Sequence, residues 1–174
     1  MNLTTLEKTL RTMMRPAILA GAAVVVIRST ALLAADQQDP AAQSQARRLE
    51  GTWRVQIALR NCETGDSLRP PFPAMATFAS GGTMITSDGG LSPLARGAGH
   101  GTWVHTGGHT FAALTEAFLF TPTGALSGIQ RIRQAVEIGW DPHQFNATVS
   151  SEISDAQGTL LATGCATSVG NRME

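Results

Sequence analysis

The sequence predicts an all-β protein, an eight-stranded antiparallel up-and-down barrel, from three observations. Apolar and polar residues alternate at period two in a succession of short runs, which is typical of half-buried strands. Turn residues separate these runs, and glycine is abundant, with 18 residues. No segment of useful length after Leu49 has the period of an amphipathic helix. Consecutive antiparallel strands with short turns form a closed barrel, which also removes edge strands that would invite aggregation.

The first four predicted strands span residues 52–60, 75–79, 83–87 and 101–106. In the first of them, apolar side chains from Trp53 to Leu59 alternate with polar ones, so one face is buried. Prolines between residues 70 and 73 hold the following connection extended. A Ser80-Gly81-Gly82 turn joins the second and third strands as a hairpin, and a glycine-rich loop, residues 88–99, precedes the fourth.

The last four predicted strands span residues 110–121, 128–140, 145–154 and 159–169. Three predicted turns connect these strands. The turn before the fifth strand contains Gly107-Gly108, the turn after the sixth is Asp141-Pro142-His143, and the turn between the last two is Asp155-Ala156-Gln157-Gly158. Three polar residues of the sixth strand are predicted to form a solvated outer face with weak ion pairs: Arg131, Arg133 and Glu137. The alternative places one of these arginines inside the barrel, where it would hold a ligand carboxylate.

Residues 1–35 are predicted to be a secretory signal peptide. Three basic residues precede an apolar core of twelve residues, 16–27, and small residues follow it. That core is too short for a transmembrane helix, which needs about 20 apolar residues. Cleavage after Ala31 or Ala35 gives an exported protein, periplasmic or extracellular. The alternative is an uncleaved leader, which would be the only contact of the protein with a membrane.

Residues 36–46 are polar and lack an apolar period, which predicts a flexible linker before a folded domain at residues 47–174. The whole chain has 13 basic and 13 acidic residues. Without the leader it retains nine arginines, no lysine and twelve acidic residues, a net charge of −3. There is therefore no basic excess to bind nucleic acid, and no lysine for Schiff-base chemistry in the mature chain.

Cys62 and Cys165 are the only cysteines. Two cysteines in an exported domain most simply form one disulfide. Cys62 follows the first strand and Cys165 lies within the last, and these strands are neighbours in a closed barrel. We therefore expect the bridge to join the closure seam, and the alternative of a reactive thiol or metal ligand lacks the spacing of a Cys-x-x-Cys motif.

The run Arg48-Leu49-Glu50-Gly51-Thr52-Trp53 resembles the opening of lipocalin-like (calycin) barrels, in which a short turn precedes a Gly-x-Trp on the first strand. In that family the tryptophan closes the barrel floor and packs beneath an arginine late in the chain. The resemblance implies structural roles for Gly51, Trp53 and Arg172. Gly101-Thr102-Trp103 repeats the triplet and is similar to the strand openings of avidin-like barrels.

The fifth predicted strand carries the candidate ligand site, because it is the most apolar run of the domain. If one of its faces lines the interior, the ligand-binding residues are Leu114, Glu116, Phe118 and Phe120, with Trp103 from the fourth strand. A buried carboxyl of Glu116 could then orient a ligand or act as a general base. The opposite face is an equal alternative, since its small side chains leave room for a ligand: Ala113, Thr115, Ala117 and Leu119.

Three histidines lie close together in the sequence, at His100, His105 and His109, and imidazoles suit zinc, copper or iron. An odd spacing directs His100 and His105 to opposite faces of an unbroken strand. Only His105 and His109, which flank Gly107-Gly108, could be brought together by a hairpin. We expect polar loop histidines here, with no metal site and no other cofactor.

Three functions follow from these features. The leading one is an exported lipocalin-like protein that binds a small apolar ligand, because eight strands leave room for one. The second is a small-barrel enzyme, a cyclase or isomerase with Glu116 as its acid or base, and Glu116→Gln should then abolish turnover. The third is a structural or interaction protein of the envelope, its barrel filled by Trp53, Phe78, Trp103 and Phe118. An empty, connected cavity would count against this filled barrel.

Overall fold

The computed structural model describes residues 44–45 and 47–174, and this part of the chain forms eight antiparallel strands closed into a barrel in sequential order. The strands are β1 (Gly51–Arg60), β2 (Phe72–Phe78), β3 (Thr83–Asp88), β4 (Gly99–Gly107), β5 (Thr110–Phe120), β6 (Leu126–Ile138), β7 (Gln144–Asp155) and β8 (Leu160–Arg172). The predicted fold class is confirmed. The predicted signal peptide and most of the predicted linker lie outside the described residues. Within the described ranges, no helix has the length and apolarity needed to cross a membrane.

Most strand boundaries shift by one to three residues from the predicted ones, and three of these shifts have a clear consequence. β2 begins at Phe72 because Pro73, which has no N–H to donate, still pairs with Gln56 and accepts a hydrogen bond from Gly89 N at 2.8 Å. β6 ends at Ile138, so Trp140 lies in the following turn with its side chain fully exposed. β8 continues to Arg172, which pairs with Trp53 of β1.

The barrel has a closed end and an open end. The β2–β3, β4–β5 and β6–β7 turns lie at the closed end together with residues 47–50, and the other four loops lie at the open end. The aromatic part of the hydrophobic core occupies the closed half: Trp53, Phe78, Trp103, Phe111 and Phe145. These rings pack edge to face, with 5.0 Å between the centroids of Trp53 and Phe145 and 6.1 Å between those of Phe78 and Trp103.

Trp53 and Arg172 form the floor of the barrel in the manner that the resemblance implies. The guanidinium carbon of Arg172 lies 4.3 Å from the ring centroid of Trp53, and the guanidinium donates to the carbonyls of Arg48 and Glu50. Burial lowers the pKa of Arg172 from its ordinary value. Because an arginine pKa is ordinarily far above 7, the guanidinium stays charged at neutral pH. Gly51 has φ +120°, and a Cβ there would lie 2.7 Å from Nη1 of Arg172, so the position requires glycine.

The predicted disulfide between Cys62 and Cys165 is confirmed, with 5.2 Å between the two Cα atoms. It lies at the open end, where β1 pairs with β8 and Arg60 is opposite Cys165. The bridge therefore joins the first and last strands at the seam that closes the barrel.

Candidate functional site

The structure determines which face of β5 points into the barrel. The buried set is Ala113, Thr115 and Ala117, and the exposed set is Leu114, Glu116 and Phe118. Phe111 is buried in the aromatic core, and period-two alternation then fixes the orientation of every residue that follows it. Leu114 is 39% exposed and Phe118 is 57% exposed. The interior placement of Leu114, Glu116 and Phe118 is therefore corrected, and the small-residue alternative is the one observed.

Glu116 lies on the outer face, where it pairs with Arg131 of β6. Its Oε1 accepts from Nη2 of Arg131 at 2.6 Å and from Nε at 2.7 Å, and both side chains are about half exposed. A second outer pair joins Arg133 to Glu152 at 2.9 Å. The predicted outer face with ion pairs on β6 is confirmed, and the alternative of an inward arginine on this strand is wrong.

We expect Glu116→Gln to leave ligand binding in the interior unchanged and to lower the free energy of unfolding by no more than about 1 kcal/mol, because exposed ion pairs contribute little. Urea denaturation of this variant beside Glu152→Gln, which breaks the equivalent outer pair, measures the effect. A loss of interior binding in Glu116→Gln alone would contradict the outer placement of this side chain.

Trp103 and Phe120, the other two predicted ligand contacts, lie outside the cavity described below. Trp103 points inward but belongs to the closed half, where its Nε1 donates to the carbonyls of Ala79 and Thr83, each at 3.1 Å. Phe120 is half-buried at the open end of β5, and its backbone N–H donates to Ala95 O at 2.9 Å.

The three histidines do not converge on one point. His100 is exposed on the outer face of β4, opposite Glu116. The Nε2 atom of His105 lies 3.0 Å from the carbonyl of Gly108, and Nδ1 of His109 contacts the guanidinium of Arg48. In the part of the chain that the structure describes, no group of three or more His, Cys, Asp or Glu side chains could hold a metal ion.

A cavity of about 320 Å³ occupies the open half of the barrel. Strands β1, β2 and β8 form its apolar wall with Val55, Ile57, Leu59, Phe72, Ala74 and Ala166. Arg69 and Leu91, from the β1–β2 and β3–β4 loops, line the cavity toward the open end. The space exists because short side chains such as Ala74 and Ala166 stand here at inward positions that aromatic rings fill in the closed half.

Arg96 reaches into this cavity from the β3–β4 loop, with a side chain only 5% exposed. Its Nη1 lies 2.8 Å from Oδ2 of Asp88, and its Nε donates to Oε1 of Gln130 at 2.7 Å. Gly99 lies beside this guanidinium, and a Cβ at that position would clash with Oγ1 of Thr86. The carboxylate of Asp88 balances the buried guanidinium, as a buried charge requires.

Several polar groups around the cavity have no partner among the described residues. The side-chain amide of Gln134 makes no hydrogen bond there, and it lines the cavity four residues beyond Gln130. The buried hydroxyls without a described partner also belong to cavity-lining residues: Thr86, Thr115 and Ser168. Polar side-chain atoms without a partner among the described residues are therefore concentrated around the cavity.

Sequence reasoning missed the polar residues of this site. Gln130 and Gln134 lie on the same face of β6 as Ile132 and Val136, because alternate residues of a strand point to the same side. Two amides on an otherwise apolar inner face could therefore have indicated a polar site from the sequence. Arg96 offered no such signal, because a single arginine in a glycine-rich loop does not show that the loop folds back into the barrel.

Comparison with known proteins finds no protein-family model that matches the chain and no curated protein that matches it. The closed eight-stranded antiparallel barrel is compatible with a lipocalin-like fold.

Proposed function

We propose that this is an exported lipocalin-like protein that binds a small apolar molecule in the open half of its barrel. The cavity of about 320 Å³ above a packed floor carries this proposal. Its volume lies at the lower end of the range for small-molecule sites, about 300–1,000 Å³. The apolar wall supplies the burial that drives such binding, and the unpaired polar groups supply orientation.

The division of the barrel into a packed half and an empty half counts against a filled barrel. Trp53, Phe78 and Trp103 do pack together, but only at the closed end, and Phe118 lies on the outer surface. An empty apolar space deprives the side chains around it of dispersion contacts. An occupant of the open half would restore those contacts.

The alternative of a small-barrel enzyme required an acid or base inside the barrel, and its candidate, Glu116, does not lie there. Glu116 is exposed and paired with Arg131 outside the barrel. Among the described residues that line the cavity, Asp88 is the only carboxylate, and it is paired with Arg96. The lining therefore favours binding over acid–base chemistry.

Export is supported by the disulfide, because such bonds persist in oxidising compartments. Mass spectrometry of the intact, secreted, non-reduced protein tests this part of the proposal. The mass also shows whether the leader is cleaved after Ala31 or after Ala35. Recovery of only the full-length chain in the cell membrane would overturn it.

We expect the neutral fluorophore prodan to bind the wild-type protein saturably, with a blue shift of its emission, and Ala166→Phe to weaken this binding roughly tenfold or more. Ala166 is a buried residue of the cavity wall, so a phenyl ring there occupies the ligand's space. Val169→Phe, on the outer face of the same strand, is the matched control and should bind as the wild type does. Equal weakening in both variants, or no binding to the wild type, would contradict the proposal.

A further inference from the structure

We infer that the ligand of this cavity is a neutral amphiphile with a hydroxyl or carbonyl group, and that the Gln134 amide holds this polar group. The inference rests on the proposed function and names the ligand class of the same cavity. It follows from the position of Gln134, from the chemistry of a primary amide and from the balance of charges along the cavity wall.

Gln134 lies deep in the cavity, on the side of the closed end. Its neighbours across the sheet are Ala113 of β5 and Val149 of β7, both apolar, and Val149 also lines the cavity. It lies four positions beyond Gln130 on β6, a distance of about 13 Å at the rise of an extended strand. Ile132 lies between them on the same wall. The Gln134 amide therefore lies between apolar neighbours on β5 and β7 and apart from the Arg96–Asp88 pair, and the other neutral polar groups of the wall are the Gln130 amide and hydroxyls such as those of Thr115 and Ser168.

A primary amide is suited to a neutral polar group. It offers two N–H donors and a carbonyl acceptor, so it can both donate to and accept from a hydroxyl, or donate to a ketone or ester oxygen. The amide of Gln130 has its oxygen already engaged by Arg96. The Gln134 amide has no partner among the described residues, which leaves its donors and its acceptor free for the ligand.

The charges along the wall disfavour a carboxylate ligand. Among the described residues, three charged side chains line the cavity, and two of them, Asp88 and Arg96, neutralise each other at 2.8 Å. The third, Arg69, is exposed, with its guanidinium carbon 4.4 Å from the ring centroid of Phe72 and its N–H groups directed at Gly90 O. An anionic group beside Gln134 would be buried without a counter-ion, which is costly.

The test compares four probes of similar chain length by displacement of prodan: n-octane, n-octanol, methyl hexyl ketone and octanoate. In the wild type at neutral pH we expect octanoate to bind at least about tenfold more weakly than n-octanol, because it carries the uncompensated charge. Tighter binding of octanoate than of n-octanol would overturn the assignment of a neutral ligand.

Gln134→Leu removes the amide while keeping a side chain of similar size. We expect it to weaken n-octanol and the ketone by roughly two- to tenfold, the effect of one neutral hydrogen bond, and to leave n-octane unchanged or tighter. Gln56→Leu makes the same substitution on the exposed outer face of β1 and should change none of the four affinities. Gln134→Met is made in parallel in case the leucine variant does not fold.

The outcomes separate this inference from the proposed function. If the probes bind and Ala166→Phe blocks them, but Gln134→Leu affects n-octane and n-octanol alike, the cavity is a binding site and the role of Gln134 is refuted. If none of the four probes binds the wild type, both are refuted. The stability of Gln134→Leu should equal or exceed that of the wild type, because the amide stabilises nothing in the unliganded fold.

Discussion

Replacement of both Cys62 and Cys165 by alanine is expected to lower the free energy of unfolding by about 4–5 kcal/mol. The bridge closes a loop between residues separated by 103 positions, and a cross-link over so long a loop removes much of the entropy of the unfolded chain. The cysteine side chains add little packing themselves, since Cys62 is exposed and Cys165 is only partly buried. The expected loss therefore measures the cross-link rather than the core.

Urea denaturation of the double variant and of the wild type, with and without reductant, measures this effect. The reduced wild type should match the double variant, and the dependence of the unfolding free energy on urea should steepen in both, because an unfolded chain without the bridge exposes more surface. A loss below about 1 kcal/mol would instead mean that the pairing of β1 with β8 closes the seam without help from the bridge. Leu59 of β1 and Ala166 of β8 pair beside the bridge and also line the cavity. Weaker prodan binding by the double variant would therefore indicate that β1 and β8 separate locally when the bridge is absent.

The barrel could be predicted because its signals are local. The alternation from Trp53 to Leu59 and the glycine turns at 81–82 and 107–108 each depend only on neighbouring residues, and β1 to β8 follow one another around the sheet. The errors at strand ends also have local causes. Pro73 looked like a barrier to strand formation, yet its missing N–H costs little at the end of β2.

The site could be predicted only in part, because it depends on which side of each strand faces the core. On β5 both faces are largely apolar, so alternation alone could not choose between Glu116 and Thr115 as the inward residue. The choice is made by Phe111, whose ring packs against Trp103 of the neighbouring strand with 6.0 Å between centroids. Both rings join an aromatic core that includes Trp53 of β1 and Phe145 of β7, and this core forms from residues that are distant in the sequence. The position of Arg96 likewise depends on a partner distant in the sequence, Gln130 of β6.

Trp53→Ala is expected to lower the free energy of unfolding by about 3–5 kcal/mol, the range for truncation of a buried aromatic side chain. Trp53 is fully buried, its Nε1 donates to Leu49 O at 2.9 Å, and its ring faces both Arg172 and Phe145. Truncation leaves a cavity at the floor, removes the donor to Leu49 O and takes away the surface under a partly buried guanidinium. Urea denaturation followed by circular dichroism measures the loss without relying on tryptophan fluorescence.

Trp140→Ala is the matched control, because this side chain is fully exposed in the β6–β7 turn and its removal should change stability by about 0.5 kcal/mol or less. Equal effects of the two substitutions would contradict the role of Trp53 in the floor. The floor also bears on binding, since Phe145 packs against Trp53 and lines the cavity above it. A Trp53→Ala protein that remains folded should therefore bind prodan more weakly than the wild type, whereas Trp140→Ala should not, because only the first change lets Phe145 move away from the ligand.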